Sequence, residues 1–478
     1  MDITRRQALK VAAASALGAW GCLALPACSS QGTESSTASS ASSDAKPRDP
    51  FKEVRESEDY SHDDALSSRV FKLSKHGKNV VVLMIDRALP FLLPFMLNEK
   101  PELAEKLAGF TFYPNKTSFG VFTNVGTPPL YGGYDYTPRK INERTGEYLY
   151  QKQNEALRVM PALFSDNGFE VTVCDPTYAS YTDNPDLSIY DDYPQVKAIS
   201  TMENVWDSTG SQQIAGDVLT ARGFHEAFMK SYTVIDSLRT MTEIADDDTN
   251  TFMMIDNHIA HDVALLQEPD YIPMENVDNT AYEAQMGNVR TDSDGNVFSL
   301  ADEISATHYQ CNMAALLKLG EWFDYLRRRE VFDNTRIIIV SDHSRRFEQR
   351  TDLMLGGTGE EDKLLDVEWQ QAMLMCKDFG ADASKLRVDE SFMTNADVPA
   401  IALKDLVENP INPFTGSAID MSGKRGGVET YASLDWDTGY NNGTTFMRGG
   451  VWFSVHDDVR KRENWTILDD ERAERYWG

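Results

Sequence analysis

Four short apolar segments constrain most strongly what this chain can fold into. Three of them consist mainly of Val, Ile, Leu, Met and Phe without polar alternation, which is typical of strands buried on both faces of a parallel sheet, and FEVTVC at 169–174 is predicted as a further strand. Helical patterns lie between them, notably at 314–328, where apolar residues recur every three or four positions. This alternation predicts an α/β fold with a mostly parallel central sheet and helices on both faces. The four segments are 79–85, 169–174, 251–255 and 336–340.

Acidic residues follow three of these segments. Asp86 and Asp256 come directly after their predicted strands, and Asp342 follows the last strand after one serine. Ligands of open parallel sheets bind beyond the carboxyl ends of the strands. A single Asp at such a place commonly caps a helix. Asp86, Asp342 and the adjacent His343, however, offer two carboxylates and an imidazole, a set that suits one divalent ion, zinc, manganese or magnesium.

Segment 111–138 contains the candidate nucleophiles for such a metal enzyme. The segment is rich in Gly, Pro, Thr and Asn, so its backbone forms turns that can approach a ligand closely. Each of its hydroxyl residues, taken alone, is more often a turn or cap residue than a nucleophile. These residues are Thr111, Thr117, Ser118, Thr123, Thr127 and Thr137.

Five segments follow one another along the chain: VVVLMID at 80–86, TNVGTP at 123–128, IIIVSDHS at 337–344, FMTNADVPAIALKDL at 392–406 and NPFTG at 412–416. Taken in this order, they resemble segments of the alkaline phosphatase/sulfatase superfamily. The branch they are most similar to contains the lipoteichoic acid synthase-like phosphoglycerol transferases and the phosphoethanolamine transferases. The first strand with its acidic residue, the spacing from Thr to Pro and the Ser-Asp-His sequence all match, with Ser344 where the family has glycine.

The resemblance implies a reaction and a nucleophile. Thr123 would be the catalytic nucleophile and a fourth metal ligand, beside Asp86, Asp342 and His343. Its activated hydroxyl would attack a phosphodiester and form phospho-threonine, which water or an alcohol then resolves. The expected function is transfer of a phospho-alcohol group, or phosphodiester hydrolysis, on cell-envelope polymers or phospholipid-derived substrates.

The resemblance also implies substrate contacts. His261 corresponds to a histidine that contacts the substrate phosphate, while His258 is either a further substrate contact or a structural histidine. Arg345 either clamps an anionic oxygen or is a solvated surface residue. Relatives with two metals imply a second metal site made of Asp256, His261 and His456.

Two other functions remain open. A sulfatase-like hydrolase of another ester would need the motif C/S-x-P-x-R, which does not occur near Thr123. A catalytically inactive protein that binds the cell envelope is favoured by Ser344 in place of glycine, whereas the intact nucleophile and metal ligands argue against it.

The N-terminal residues 1–27 resemble a twin-arginine export signal with a lipoprotein cleavage site. Arg5 and Arg6 precede an apolar stretch, and Cys28 follows a small residue. We expect a lipid on Cys28 that anchors an extracytoplasmic protein to the cell membrane. The alternative is an uncleaved N-terminal anchor, which leaves the rest of the chain on the same side.

The remaining chain divides by composition. Residues 28–70 form a Ser/Ala-rich tether and lead-in, 71–420 the catalytic domain, and 421–478 a small C-terminal subdomain or an extension of that domain. The net charge of −29 argues against nucleic acid as a partner, because phosphates require a basic surface. A small anionic substrate remains compatible with this charge if a metal supplies positive charge.

Overall fold

The central sheet contains eight strands, and the four apolar segments form its middle. A computed structural model describes residues 70–472 except 183, 203–225, 275, 358, 383 and 435–442. The expected export signal 1–27, Cys28 and the tether up to residue 69 lie outside the described residues. All described residues belong to one compact unit that spans 47–478.

The sheet is mostly parallel, as the sequence predicts. The strands are β1 Phe71–Ser74, β2 Asn79–Ile85, β3 Phe110–Phe112, β4 Lys116–Thr117, β5 Glu170–Cys174, β6 Val196–Ile199, β7 Thr242–Ala245, β8 Thr251–Asn257, β9 Val289–Thr291, β10 Val297–Ser299, β11 Thr335–Val340, β12 Leu374–Lys377, β13 Arg387–Val388, β14 Met393–Thr394, β15 Val428–Ala432, β16 Val451–Val455 and β17 Trp465–Asp470. The central sheet has the order β13-β3-β12-β11-β2-β8-β5-β6, and within it only β12 runs antiparallel to its neighbours. β1 pairs with β7, β9 with β10, and β4 with β14 in small separate sheets.

Helices cover both faces of the sheet, which confirms the predicted α/β class. The α-helices are α1 Leu93–Glu99, α2 Pro101–Lys106, α3 Thr123–Gly132, α4 Pro138–Glu143, α5 Leu149–Asp166, α6 Glu226–Asp236, α7 Leu238–Met241, α8 Thr280–Met286, α9 Glu303–Arg328 and α10 Val398–Leu403. Short 3-10 helices lie at Pro90–Leu92, Tyr134–Tyr136, Ala179–Tyr181, Leu187–Tyr190, Glu360–Leu365, Val367–Gln370, Asn395–Asp397, Ser422–Lys424 and Arg462–Asn464.

Successive side chains of the central strands serve two separate cores. In β2, Val81 and Leu83 pack in the core that includes residues of α1, α6 and α9, whereas Val80 and Val82 pack in the core that includes residues of α3 and α5. This follows from the period of two in a strand. A sheet buried on both faces explains why the strand segments are apolar without alternation.

Helix α9 is longer than the sequence pattern indicates. The pattern predicts a helix over 314–328, but α9 begins at Glu303, where the Asp302 carboxylate accepts a hydrogen bond from the backbone N of Ser305 at 2.8 Å. Its first turns bury polar side chains such as His308, which hides them from a search for apolar periodicity. None of the described helices is both long and apolar enough to cross a membrane.

The end of the chain adds a small antiparallel sheet of β15, β16 and β17. Phe453 of this sheet packs in a third core with Phe119 and Val121, just before α3. The backbone N of Tyr431 donates to the carbonyl of Phe119 at 2.9 Å. The sheet therefore supports the segment that leads into α3. Whether 421–478 is a subdomain or part of the same domain stays a prediction.

The parallel register aligns polar residues at the carboxyl end of the sheet. β2 pairs Met84 with Val340 of β11 and with Asp256 of β8. Because β8 continues to Asn257, Asp256 lies inside this strand. The prediction that Asp256 comes directly after the strand is therefore wrong. The residues two positions beyond this row on the three adjacent strands are Asp86, Asp342 and His258.

Candidate metal centre

Asp86, Asp342 and His343 meet at the carboxyl edge of the sheet. Their ligand atoms all lie within 4.8 Å of one another, and no other group of three His, Cys, Asp or Glu side chains in the described part of the chain does so. His343 Nε2 lies 3.7 Å from Asp86 Oδ1 and 3.5 Å from Asp342 Oδ2. The side chains are at most 2% exposed. The structure thus brings together the three residues proposed from the strand ends.

The polar atoms of this group fit a metal ion. Asp86 Oδ1 and Asp342 Oδ2 are buried without a hydrogen-bond partner. His343 Nδ1 donates to the carbonyl of Ser344 at 2.7 Å, which leaves Nε2 as an acceptor facing the carboxylates. The two carboxylate oxygens and His343 Nε2 are all hydrogen-bond acceptors, so they cannot bond to one another, and burying them unpaired costs free energy. A divalent cation could be bound by all three.

The charges in the site depend on one another. Burial by itself raises the pKa of Asp86, but the surrounding imidazoles, first that of His261, outweigh it and hold this pKa well below its usual range. Burial, together with the charge of Asp86, raises the pKa of Asp342. Two neighbouring buried carboxylates therefore compete for ionisation until a positive charge lies between them.

Thr123 places a hydroxyl against this group. Its Oγ1 donates to Asp86 Oδ2 at 3.5 Å and lies 3.4 Å from His343 Nε2. Thr123 is the first residue of α3, where unpaired backbone N–H groups and the helix dipole favour negative charge. An alkoxide on Thr123 would be stabilised there. Of the candidate hydroxyls, Thr117 and Ser118 instead bond to backbone carbonyls.

Gly126 allows α3 to approach the metal ligands. A Cβ at this position would lie 2.5 Å from the carbonyl oxygen of Asp342. No side chain fits there without displacing either the helix or the loop after β11. The requirement for glycine, three residues after Thr123, therefore reflects a packing contact between α3 and the loop that carries Asp342 and His343.

Asn395 and Lys116 donate hydrogen bonds to the backbone of the same loop. Neither residue was assigned a role from the sequence. Asn395 Nδ2 donates to the carbonyl of Asp342 at 2.8 Å and to that of Gly126 at 3.1 Å. Lys116 Nζ donates to the carbonyl of Ser341 at 3.0 Å. Burial lowers the pKa of Lys116 well below its ordinary value. Buried polar side chains bonded to the backbone of a ligand loop are a signal that requires coordinates.

A cavity of about 460 Å³ opens beside the metal group and contains the two predicted substrate histidines. His258 Nδ1 lies 3.1 Å from Asp86 Oδ2, and His261 Nδ1 lies 3.1 Å from Asp262 Oδ1. Burial opposes protonation of His258, but its hydrogen bond with Asp86 and the charge of that carboxylate raise its pKa to about 9. The contact between His258 and Asp86 follows from the register of β2 and β8.

The second metal site proposed from the resemblance is wrong, because its three residues do not come together. Asp256 is fully buried and accepts hydrogen bonds from the Tyr131 hydroxyl and, at 2.8 Å, from the backbone N of Thr177. His456 is half-exposed, bonds to its neighbour Asp457 and lines a separate surface groove. Asp256, His261 and His456 thus serve three different environments.

Arg345 is neither bonded to the metal ligands nor fully solvated. It is partly buried, and its Nε has no hydrogen-bond partner. Ser344, which replaces the family's glycine, is buried and donates its backbone N–H to the carbonyl of Trp369 at 2.8 Å. The serine is accommodated without displacing His343 from the metal group.

Solved structures similar to this chain include members of the alkaline phosphatase superfamily. A superfamily protein from Vibrio parahaemolyticus aligns with 10% identity and a TM-score of 0.43 over 85% of both chains. The lipoteichoic acid synthase LtaP from Listeria monocytogenes aligns with 11% identity and a TM-score of 0.42, covering 83% of this chain and 85% of its own.

The soluble domain of lipooligosaccharide phosphoethanolamine transferase A from Neisseria meningitidis aligns with 14% identity and a TM-score of 0.38, covering 70% of this chain and 89% of its own. No family model and no curated protein matches the sequence. At such identities and TM-scores, activity has to be argued from the site itself.

Replacing Gly126 by alanine tests the contact between α3 and the ligand loop. Because the added Cβ would overlap the Asp342 carbonyl, we expect Gly126→Ala to lower the melting temperature by several degrees, for a cost of roughly 1–3 kcal/mol. Manganese affinity, measured by calorimetry, should fall as well. Gly146→Ala is the control, since nothing lies within 4 Å of that position. Equal behaviour of the two variants would contradict the proposed contact.

Proposed function

We propose that this chain is a metal-dependent phosphotransferase or phosphodiester hydrolase that uses Thr123 as its nucleophile. We further propose that it acts on a phospho-alcohol group, of the phosphoglycerol or phosphoethanolamine kind, in a cell-envelope polymer or lipid. The observation that carries the proposal is the position of the Thr123 hydroxyl, 3.5 Å from Asp86 and 3.4 Å from His343, beside two unpaired buried carboxylate oxygens.

Asp86, Asp342, His343 and Thr123 would hold one divalent ion, magnesium, manganese or zinc. When bound, the ion would lower the pKa of the Thr123 hydroxyl and offset the charge of the two carboxylates. The donor set of oxygens and one nitrogen is compatible with all three metals.

The reaction begins at Thr123. Its hydroxyl proton is released to solvent, and Oγ1 attacks phosphorus in line while the bond to the leaving alkoxide breaks; the alkoxide takes up a proton and departs as the alcohol. A phospho-threonine results at the N-terminus of α3, where the backbone N–H groups favour its charge. Water or an acceptor alcohol then attacks phosphorus and loses its proton, while the bond between phosphorus and Thr123 Oγ1 breaks and Oγ1 is protonated again.

His258 and His261 line a cavity together with Asp86, and substrate bound in this cavity would lie beside the candidate metal ligands. The hydrogen bond with Asp86 and the charge of that carboxylate raise the pKa of His258, and its second ring nitrogen is the candidate contact for a phosphoryl oxygen or a leaving alkoxide. His261, beside it with ring centroids 6.2 Å apart, is the second candidate contact. Both roles depend on substrate being bound in this cavity.

The place of action is proposed from the N-terminal sequence. The paired Arg5 and Arg6, the apolar stretch after them and Cys28 support export and lipid attachment. An anchored protein outside the cytoplasm would meet envelope polymers and lipids, which is why we favour them as substrates.

Thr123→Ala tests the nucleophile. We expect turnover of bis(p-nitrophenyl) phosphate, measured with manganese, zinc or magnesium, to fall by roughly a thousandfold or more, because covalent catalysis is lost. Thr123→Ser should keep measurable activity, and Thr145→Ala, at an exposed turn, should behave as wild type. Unchanged turnover of Thr123→Ala would remove this residue from the mechanism. A wild-type protein inert with all three metals would favour an inactive envelope-binding protein.

Asp342→Asn tests the metal site without requiring turnover. We expect one manganese ion to bind the wild type, and the variant to bind it more weakly by roughly 10- to 100-fold or more. In the metal-free protein the same change should raise the melting temperature, because it removes one of two repelling buried carboxylates. Asp294→Asn, in an exposed turn, is the control for both measurements. Unchanged manganese affinity of Asp342→Asn would contradict the site.

Cys28→Ala tests the lipid anchor. We expect this variant to move from the membrane fraction to the soluble extracytoplasmic fraction, while Ser29→Ala stays with the membrane. Immunoblotting of the fractions measures the change. Retention of Cys28→Ala in the membrane would instead indicate an uncleaved N-terminal anchor.

A further inference from the structure

Two partly buried arginines beside the metal group, Arg87 and Arg345, form no salt bridge among the described residues. The neighbouring Arg346, by contrast, lies 3.3 Å from the carboxylate of Asp366. Neither Arg87 nor Arg345 has a salt bridge or a side-chain hydrogen bond in the described structure. With 75 acidic residues against 46 basic ones, unpaired arginines are not explained by a shortage of carboxylates.

Both arginines are partly buried and lie within two residues of a candidate metal ligand, Arg87 after Asp86 and Arg345 after His343. Burial and then the positive charge of Arg87 lower the pKa of Arg345 to about 10, although the charge of Asp302 acts in the opposite direction. Burial, and then the positive charges of Arg345 and Arg87, lower the pKa of His308, a residue of α9. The Nδ1 atom of His308 is buried and has no hydrogen-bond partner. Holding like charges together while desolvating them destabilises the folded protein, so the arrangement calls for a counter-charge.

The pair lies on the other side of the sheet edge from Thr123. Arg87 follows Asp86 directly, and its left-handed backbone, with φ of 60°, turns the chain so that Leu89 N donates to Asn312 of α9 at 2.9 Å. Such backbone strain in a residue that is not glycine is typical of functional sites. Thr123, by contrast, begins α3 on the opposite face.

The same short segment connects the pair to the metal group. The backbone N of Arg87 is 3.4 Å from Asp342 Oδ1, and Arg345 comes two residues after His343. An anion held by the arginines would therefore lie next to the reacting phosphoryl group without being that group.

We propose that Arg87 and Arg345 form a second anion subsite, which binds a phosphate or similar oxyanion of the substrate other than the phosphoryl group attacked by Thr123. This inference rests on the proposed function for the reacting group. Guanidinium groups suit tetrahedral oxyanions because they donate two parallel hydrogen bonds. The preferred substrate is thus one with more than one anionic group, such as a polymer with repeated phosphates, and a neutral ester would leave the arginines unpaired.

The first test measures binding and needs no turnover. Inorganic sulfate is titrated calorimetrically into the full-length protein at constant ionic strength, with and without manganese. We expect the double variant R87Q/R345Q to raise the Kd for sulfate at least tenfold. R328Q/R329Q is the matched control, since it also removes two charges, at the exposed C-terminal end of α9, roughly 24 Å along the helix from Asn312.

The second test compares two p-nitrophenyl phosphodiesters that differ only in the second alcohol, ethyl or 2-sulfoethyl. We expect the wild type to prefer the sulfoethyl diester, and R87Q/R345Q to lose at least tenfold in kcat/KM for it through KM. The ethyl diester should change less than threefold. R345K, which keeps the charge but loses the paired donors, should fall between wild type and R345Q.

Folding of the variants is followed by their melting temperatures. Removing a desolvated like charge should leave the melting temperature of R345Q unchanged or raise it, whereas a purely structural arginine would lower it. Unchanged sulfate binding, or equal losses on both diesters, would overturn the second subsite; equal losses would mean that the arginines contact the reacting phosphoryl group. Loss of sulfate binding in R87Q/R345Q together with an inactive wild type would retain the subsite and refute the proposed reaction.

Discussion

Two buried carboxylates that face one imidazole are the constraint on which the site depends. Asp86 and Asp342 cannot both be ionised at low cost, and His343 turns an acceptor toward them, because its other nitrogen is committed to the carbonyl of Ser344. Such an arrangement stores unfavourable electrostatic energy in the absence of a cation. The surrounding bonds from Asn395 and Lys116 fix the loop backbone and prevent the ligands from moving apart.

The register of the sheet produces this arrangement. In parallel pairs, Met84 of β2 lies opposite Val340 of β11 and Asp256 of β8, so positions two residues later form the next row. That row reads His258, Asp86 and Asp342 across three adjacent strands. A shift of one residue in either pairing would send one of these side chains to the other face. The metal group is thus a consequence of strand pairing as much as of the residues themselves.

The sequence was sufficient for the strands and for the candidate metal ligands, because both depend on local signals. Buried parallel strands are continuous apolar runs, and the ligands follow two of them. It was insufficient where the answer depended on which elements are neighbours. Asp256 resembles Asp86 in the sequence, yet β8 is two residues longer than its apolar run and buries Asp256 against Tyr131. The role of Asn395 likewise depends on a contact with Asp342 across 53 residues of chain.

The alternation of side chains along β2, which separates the two cores, also places Asp86 and Arg87 next to different helices. Asp86 follows Val80, Val82 and Met84 in the face toward α3, and so meets Thr123. The next residue, Arg87, belongs to the turn that leads to α9. Thr123, the proposed nucleophile, and the two arginines therefore lie on two sides of one sheet edge, with Asp86, Asp342 and His343 between them. Under the proposed function, a substrate that contacts both would cross this edge, with the phosphoryl group to be transferred on one side and a further anion on the other. Because the chain as a whole is strongly acidic, attraction of such an anion would have to be local, at a bound cation and at the arginines.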